Sequence, residues 1–328
     1  MRNIAANALT IMIVCGLVFL AGLGVARHQL TADGPSSEPV RVTVERGARL
    51  DAVAEKLSES GAIGQPILFR LAARYSGKAD ELKYGEYEIP AGASIDQILD
   101  LLSKGGNIRY RVTVPEGMTV SMAVERLMAE ERLSGDVTDI PLEGSLFPDS
   151  WDFQTGDDRA TLIRRMQEKM ETELDAAWAD RDPNLPLRSK EELLILASIV
   201  EKETRPNEHK KVASVFINRL RRGMKLQTDP TVIYGITLGQ RPLGRGLRRS
   251  ELNAKTPYNT YVIEGLPPTP IANPGRDSIR AVANPDTTDY LFFVADGTGG
   301  HAFARTLPEH QKNVAKWREI ERQRKAKE

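Results

Sequence analysis

Two carboxylates, Glu201 and Glu203, stand at the end of a stretch that is otherwise apolar. Residues 193–200 read LLILASIV, and Ser189 followed by Glu192 is the pattern of a helix start. A helix that is apolar on nearly every face belongs in a protein core. Its polar end therefore predicts a place where burial raises the pKa of a carboxyl group and makes it a proton donor.

The segment after this helix holds the next candidates. A second helix is predicted over residues 207–223, because Gly223 is a typical helix-stopping residue. Three arginines are expected on its outer, solvated face: Arg219, Arg221 and Arg222. Residues 226–235 read LQTDPTVIYG, which is too polar for a buried strand and too poor in charge for a solvated loop. This composition predicts that three side chains there line a cleft: Gln227, Thr228 and Asp229.

Composition and hydropathy limit the partners and the location. Lys plus Arg number 45 and Asp plus Glu number 45, so the formal net charge is zero, which argues against a nucleic-acid partner. Residues 8–25 form an apolar run broken only by Thr10, long enough to cross a bilayer. We expect a single-pass anchor in the plasma (inner) membrane, with the bulk of the chain on the outer, periplasmic side. A cleavable signal peptide ending near the small residues 21–24 is the alternative.

Metal-binding patterns are missing from the sequence. Its four histidines and its single cysteine, Cys15, show no metal-ligand spacing. We therefore expect neither a metal site nor a cofactor.

Three stretches of the sequence resemble one another. Residues 41–57, 87–102 and 111–127 each read as a short alternating strand, a turn with glycine and an amphipathic helix. One such unit cannot bury its apolar face alone, so the copies should pack on one another.

Several longer blocks carry a family resemblance. They are LEGSLFPDSWDF at 142–153, ASIVEKET at 197–204, VASVFINRL at 212–220, LQTDPTVIYG at 226–235, YNTY at 258–261, GLPPTPIANPG at 265–275 and LFFVADGTGGHAF at 291–303. In this order they resemble the endolytic murein transglycosylase (YceG-like) family over about residues 110–310.

The expected fold is α+β with three parts and a linker. We predict a cytoplasmic tip and transmembrane anchor over residues 1–29, a linker over 30–39, a small domain over 40–107 and a mixed catalytic domain around the buried helix over 108–328. The small domain resembles a LysM module, a β-α-α-β fold that binds peptidoglycan glycan. Arg46 and Ala48 depart from the usual LysM pattern, so a structural spacer without glycan binding is the alternative.

The resemblance implies an enzyme of the lyase class. It implies cleavage of the MurNAc-GlcNAc glycosidic bond in nascent peptidoglycan glycan strands, with 1,6-anhydro-MurNAc ends as products and termination of elongation as the result. Penicillin-binding synthases are the implied partners.

The resemblance also points to a catalytic residue. Residues 199–204 resemble a run of the lysozyme-like transglycosylases in which the catalytic glutamate precedes a serine. That register assigns the role to Glu203, with Thr204 in the serine position. Glu203 also shares a helix face with Leu196 and Ile199, and apolar surroundings raise the pKa of an acid. Glu201 is then expected to make a structural contact.

Further residues are candidates for substrate binding: Glu143, Gln227, Thr228, Asp229, Tyr258 and Asn259. Tyr258 and Asn259 belong to a proline-rich segment, 258–275, that cannot form regular structure. Two other functions remain open. One is a hydrolytic muramidase that pairs Glu203 with Glu143 or Asp229. The other is a membrane-anchored scaffold that binds the wall without catalysis.

Overall fold

The computed structural model describes residues 2–204 and 206–325 and has a mixed α+β architecture. Side chains are not described for residues 1–11, 19, 23, 26, 205, 206 and 325–328. The described helices are α1 (Arg2–Thr31), α2 (Leu50–Glu59), α3 (Pro66–Tyr75), α4 (Ile95–Lys104), α5 (Val120–Met128), α6 (Arg159–Ala179), α7 (Lys190–Glu203), α8 (His209–Arg221), α9 (Asp229–Thr237), α10 (Arg249–Leu252), α11 (Arg276–Ala283) and α12 (Leu307–Lys325). The described strands are β1 (Val40–Val44), β2 (Gly85–Ile89), β3 (Tyr110–Thr113), β4 (Ser150–Phe153), β5 (Phe292–Ala295) and β6 (His301–Ala304).

The first helix contains a candidate membrane span. Its segment Met12–Thr31 has a mean hydropathy of 1.6 and is long enough to cross a bilayer by length and composition. Met12, Leu17 and Val18 are exposed, as expected of side chains that would face lipid. The first residue of the predicted anchor, Met1, lies outside the described residues.

The chain divides into two compact units. The N-terminal unit comprises Met1–Arg111, Arg132–Ser134 and Asp152–Asp157, and the C-terminal unit comprises Val112–Glu131, Gly135–Trp151 and Asp158–Glu328. In the N-terminal unit, β1 pairs antiparallel with β2, and Val42 lies opposite Tyr87. The order β1-α2-α3-β2 is the strand-helix-helix-strand order expected of this region. The likeness to a LysM module stays a prediction.

The three similar stretches fold in the same way. They form β1-α2, β2-α4 and β3-α5, each a strand, a turn and a helix. The turn glycines, Gly47, Gly92 and Gly117, have φ angles of 78°, 66° and 73°. Because these angles lie in the left-handed region, glycine is the residue that the turn favours. The first two copies pair through β1 and β2, whereas β3 pairs with β4, which lies outside the repeats.

The core of the C-terminal unit surrounds α7. Leu193, Leu196, Ile199 and Val200 are fully buried, and the helix packs against α6, α8, α9 and α11. The Ser189 side chain accepts a hydrogen bond from the Glu192 backbone N–H, so the expected N-cap is present. The helix ends at Glu203, as the sequence predicts.

Two details differ from the sequence-based expectations. The prediction that Arg219 lies on the solvated face of the second helix was wrong, because Arg219 is only 7% exposed. Residues 226–235 contain a helix, α9, which begins with Asp229 and Pro230, a favourable residue in a first helical turn.

Candidate active site

Glu203 is the last residue of α7 and meets the chain segment that leads into α9. The hydroxyl of Thr228 donates a hydrogen bond to Glu203 Oε1. Burial raises the pKa of Glu203, and the negative charge of Asp229 acts in the same direction. The Thr228 hydrogen bond and the positive charges of His301 and Arg219 act in the opposite direction without outweighing burial. A carboxyl group in this environment can hold a proton at a pH where an exposed glutamate has lost it.

Thr228 is fixed in place by a set of threonines. Its backbone N–H donates to Thr260 Oγ1 at 3.0 Å, and its carbonyl accepts from Thr231 Oγ1 at 2.8 Å. The preceding residue, Gln227, has a φ of 51°, an uncommon value for a residue other than glycine. The Gln227 N–H donates to the Thr260 carbonyl at 3.1 Å, which holds this turn. The Thr228 hydroxyl is therefore directed at Glu203 by a braced loop.

Asp229 is an acidic residue whose charge acts on Glu203. It is exposed, and its Oδ1 accepts a hydrogen bond of 2.7 Å from the hydroxyl of Tyr261. Burial, together with this hydrogen bond, raises the pKa of Tyr261. Asp229 is thus held by a neutral phenol and keeps part of its surface open to solvent.

Arg219 is a site neighbour that sequence reasoning missed. Its guanidinium donates to the carbonyls of Leu226 and Leu291, both at 2.7 Å, and lies 3.5 Å from Gln227 Oε1. These contacts attach α8 to the loop before α9 and to the segment before β5. A helical apolar pattern predicts only which face of the helix is buried. It therefore could not indicate that Arg219 donates hydrogen bonds to the carbonyls of two other segments.

Glu201 turns away from Glu203 and contacts α11. Its Oε2 accepts hydrogen bonds from the Gly275 N–H at 2.9 Å and the Ser278 hydroxyl at 2.8 Å. Ser278 is fully buried and lies 3.3 Å from His209 Nδ1. The geometry gives Glu201 a structural role at the junction of α7 and α11.

Glu143 forms a second carboxylate environment in the same unit. Its Oε1 accepts hydrogen bonds from the Val120 and Gly144 N–H groups at 2.9 and 3.3 Å, and its Oε2 accepts one from the Tyr234 hydroxyl at 3.1 Å. Burial raises the pKa of Glu143, and these three donors oppose that effect. Among the residues that the structure describes, no hydrogen bond joins Glu143 directly to Glu203.

The two candidates from the proline-rich segment differ in accessibility. The Tyr258 ring is partly buried with its centroid 5.0 Å from that of Tyr234, and its hydroxyl lies 2.8 Å from Thr269 Oγ1. Asn259 is fully buried, and its amide donates to the carbonyls of Glu251, Leu252 and Ala254 while its oxygen accepts from the Tyr261 N–H. The Asn259 side chain therefore braces the loop, and its full burial keeps it from the surface.

Other features of the unit do not compete for this role. A groove of about 920 Å³ is lined by residues that include Asp180, Lys210 and Arg280, but Glu203 is not among them. Across residues 2–204 and 206–325, no group of three or more His, Cys, Asp or Glu side chains is placed to hold a metal ion. Glu203, whose pKa is raised and whose carboxyl accepts from the braced Thr228 hydroxyl, is therefore a stronger candidate for catalysis than the lining of this groove.

Comparison with known proteins supports the family resemblance that the sequence segments around this site carry. The chain is 30% identical over 338 residues to the endolytic murein transglycosylase of Bacillus subtilis, a match that covers 93% of this chain and 91% of that protein. It is 29% identical to the endolytic murein transglycosylase of Streptococcus pneumoniae strain D39, covering 92% of this chain and 64% of that protein. The crystal structure of a YceG-like protein from Listeria monocytogenes matches with a TM-score of 0.53 and 29% identity, over 84% of this chain and 99% of that one. The model of the YceG-like family matches residues 42–316, and the chain belongs to this family.

Proposed function

We propose that this protein is a membrane-anchored, endolytic lytic transglycosylase that cuts the MurNAc-GlcNAc bond of nascent peptidoglycan strands. The observation that carries the proposal is the partly buried Glu203 carboxyl at the end of α7, which has a raised pKa and accepts a hydrogen bond from the braced Thr228 hydroxyl. The names of the relatives in Bacillus subtilis and Streptococcus pneumoniae support the same activity.

In the proposed reaction Glu203 acts twice. Its protonated carboxyl first gives a proton to the glycosidic oxygen while the bond from that oxygen to C1 of MurNAc breaks. The resulting carboxylate then takes the proton of the MurNAc 6-hydroxyl as that oxygen bonds to C1. The product is a 1,6-anhydro-MurNAc end, no water is consumed, and Glu203 returns to its starting state. A raised pKa suits the first step, and the Thr228 hydrogen bond stabilises the carboxylate formed in it.

The lining of the substrate groove forms part of the proposal. We place Gln227 and Asp229, which are exposed on the segment beside Glu203, in contact with the glycan. Tyr258 and Glu143 are proposed to lie further along the same surface, joined through Tyr234. We assign Thr228 to the carboxyl of Glu203 and Asn259 to the support of the loop.

A hydrolytic muramidase is the second candidate, and the position of Asp229 favours it. A hydrolase needs a second carboxylate to activate water or to attack the sugar. Asp229 is exposed and close enough for its charge to act on Glu203. The two reactions differ in their products, since an anhydro end is lighter than a reducing end by one water.

The deciding experiment is digestion of lipid II polymer and of purified sacculi, followed by mass spectrometry of the fragments. We expect anhydro ends from the wild type and no new ends from Glu203→Gln. Glu264→Gln is the matched control, because Glu264 is exposed on the loop before α11. Reducing ends from the wild type would favour the muramidase, and full activity of Glu203→Gln would favour a scaffold without catalysis.

We also propose the location and the role of the N-terminal parts. Segment Met12–Thr31 serves as a single-pass anchor in the plasma membrane, with the catalytic unit on the outer side, where nascent strands and penicillin-binding synthases are found. Residues 40–107 serve as a LysM-like module. Protease added to spheroplasts should remove the C-terminal unit, whereas protection of that unit would contradict this orientation.

A further inference from the structure

His301 and Glu208 form a pair of side chains that the proposed reaction does not yet use. His301 Nδ1 lies 2.7 Å from Glu208 Oε2, and the His301 backbone N–H donates to Glu208 Oε1 at 3.1 Å. Both side chains are mostly buried, with 17% and 16% of their surfaces exposed. Two contacts from one carboxylate fix both the backbone and the ring of His301.

This pair is connected to the end of α7. The hydroxyl of Thr204, the residue after Glu203, donates to Glu208 Oε2 at 3.3 Å. Glu208 therefore links the catalytic end of α7 to the start of β6. His301 is near enough to Glu203 for its charge to act on that carboxyl.

The surroundings of the imidazole restrict its movement. Its ring meets Phe293 edge-on at a centroid distance of 5.2 Å and Phe303 at 6.3 Å. Across the described part of the chain, Nδ1 has Glu208 as a partner and Nε2 has no hydrogen-bonding partner. A ring held on one side by a carboxylate and on two sides by apolar rings keeps its orientation without contact from a substrate.

We propose that His301, held by Glu208, is a positioning residue whose positive charge stabilises the Glu203 carboxylate between its two proton transfers. This inference rests on the proposed function for the identity of the reaction. Glu203 loses its proton to the glycosidic oxygen and regains one from the 6-hydroxyl. His301 keeps its own proton throughout, so the balance of atoms in the reaction is unchanged.

Other charged groups near this pair also act on Glu203 or His301. Asp229 opposes the ionisation of Glu203, whereas Arg219 favours it. Asp296, in the turn before β6, interacts with the charge of His301. The groups that face Glu203 or His301 from the packed elements are Glu208, Arg219, Asp229, Tyr261 and Asp296. Within this set the Arg219 guanidinium is engaged with the carbonyls of Leu226 and Leu291, whereas the His301 ring is held by Glu208.

The test is the pH dependence of bond cleavage by the full chain in detergent, for the wild type and for His301→Gln. Loss of the imidazolium leaves the carboxylate less stable, so the pKa of Glu203 should rise. The basic limb of the kcat/KM profile should then move to higher pH, and kcat at the optimum should fall about tenfold for each pH unit of this movement, with KM nearly constant. His28→Gln, a substitution in α1, should leave both quantities as in the wild type.

Glu208→Gln is the second variant, because its amide oxygen can still accept from Nδ1 while the negative charge is lost. We expect its basic limb to move in the same direction as that of His301→Gln. Profiles of both variants that superimpose on the wild type would overturn the proposal. An equal loss of kcat/KM at every pH, together with a lowered melting temperature, would also overturn it, since that pattern indicates a structural role alone.

The outcome for His301 can be separated from the outcome for the proposed function. If the wild type releases reducing ends, the transglycosylase assignment fails, but Glu203 still donates a proton and the shift of the basic limb still supports the role of His301. If the wild type cleaves no glycan under any condition, both proposals are overturned.

Discussion

The hydroxyl of Thr228 donates its hydrogen bond to the carboxyl of Glu203, and this contact joins the last residue of α7 to the loop before α9. The loop is braced by Thr260 and Thr231, so the donor is positioned before any substrate arrives. A donor that is already oriented stabilises charge without further rearrangement. This arrangement connects a local turn to the chemistry of a residue 25 positions earlier.

We predict that Thr228→Val lowers kcat about a hundredfold, at the lower end of the range observed when one charge-stabilising donor is lost. Because the hydrogen bond lowers the pKa of Glu203, its loss should also move the basic limb of the pH profile upward. Thr228→Ser keeps the hydroxyl and should retain most of the activity. Steady-state rates on lipid II polymer between acid and alkaline pH measure both effects, and equal activity of the Val and Ser variants would contradict the prediction.

The raised pKa of Glu203 also predicts how stability depends on pH. A carboxyl group whose pKa is higher in the folded state than in the unfolded state favours folding at low pH. That contribution is lost as the pH rises from the unfolded value of 4.5 through the folded value. Glu203→Gln, which stays neutral, should therefore melt higher than the wild type near pH 8, by roughly 2 °C or more.

The difference in melting temperature should shrink toward pH 4, where the wild-type carboxyl is protonated in both states. Thermal melts by circular dichroism at the two pH values measure it. A variant that melts lower than the wild type near pH 8 would show that the carboxylate contributes more through its contacts than it costs through burial.

Arg219 should matter for stability and for the shape of the site. Its guanidinium donates hydrogen bonds to the carbonyls of Leu226 and Leu291, and a lysine cannot satisfy both with the same geometry. We expect Arg219→Lys to cost about 2 kcal/mol of unfolding free energy, as for a buried polar group left without its partner. Arg222→Lys, at an exposed position of the same helix end, should be nearly neutral. Urea unfolding of the two variants makes the comparison, and equal stability would contradict it.

Glu143 distinguishes the two proposed reactions. In Glu143→Gln the amide oxygen can still accept the N–H groups of Val120 and Gly144, so the local fold should be retained. If one glutamate performs both proton transfers, this variant should keep anhydro products and lose less than about tenfold in rate, well below the loss expected when a catalytic group is removed. Abolished cleavage with an intact fold would instead assign Glu143 the part of a second catalytic carboxylate.

Much of the local structure follows from the sequence because its signals are local. The buried helix α7, its Ser189 cap and its end at Glu203 were predicted from apolar pattern and capping residues. The repeated strand, glycine turn and helix was visible in three copies, and the irregular segment 258–275 was indicated by its prolines. Each of these features depends on residues within a few positions of one another, where periodicity and backbone preference act.

The tertiary structure decided which polar groups form hydrogen bonds with each other. Arg219 contacts Leu291, Asn273 donates to Met118, and Glu201 contacts Ser278, all pairs far apart in the sequence. The helical pattern placed Glu203 on the apolar face with Leu196 and Ile199. It did not define the elements packed around the helix end, so it could not predict the hydrogen-bond partners of Glu201 and Glu203. The sequence by itself determined that a carboxylate would end a buried helix. Only the packing of α8, α9 and α11 around that end decided which carboxylate is braced by structural contacts and which one faces the Thr228 hydroxyl, because hydrogen bonds form between groups that the fold brings together in space.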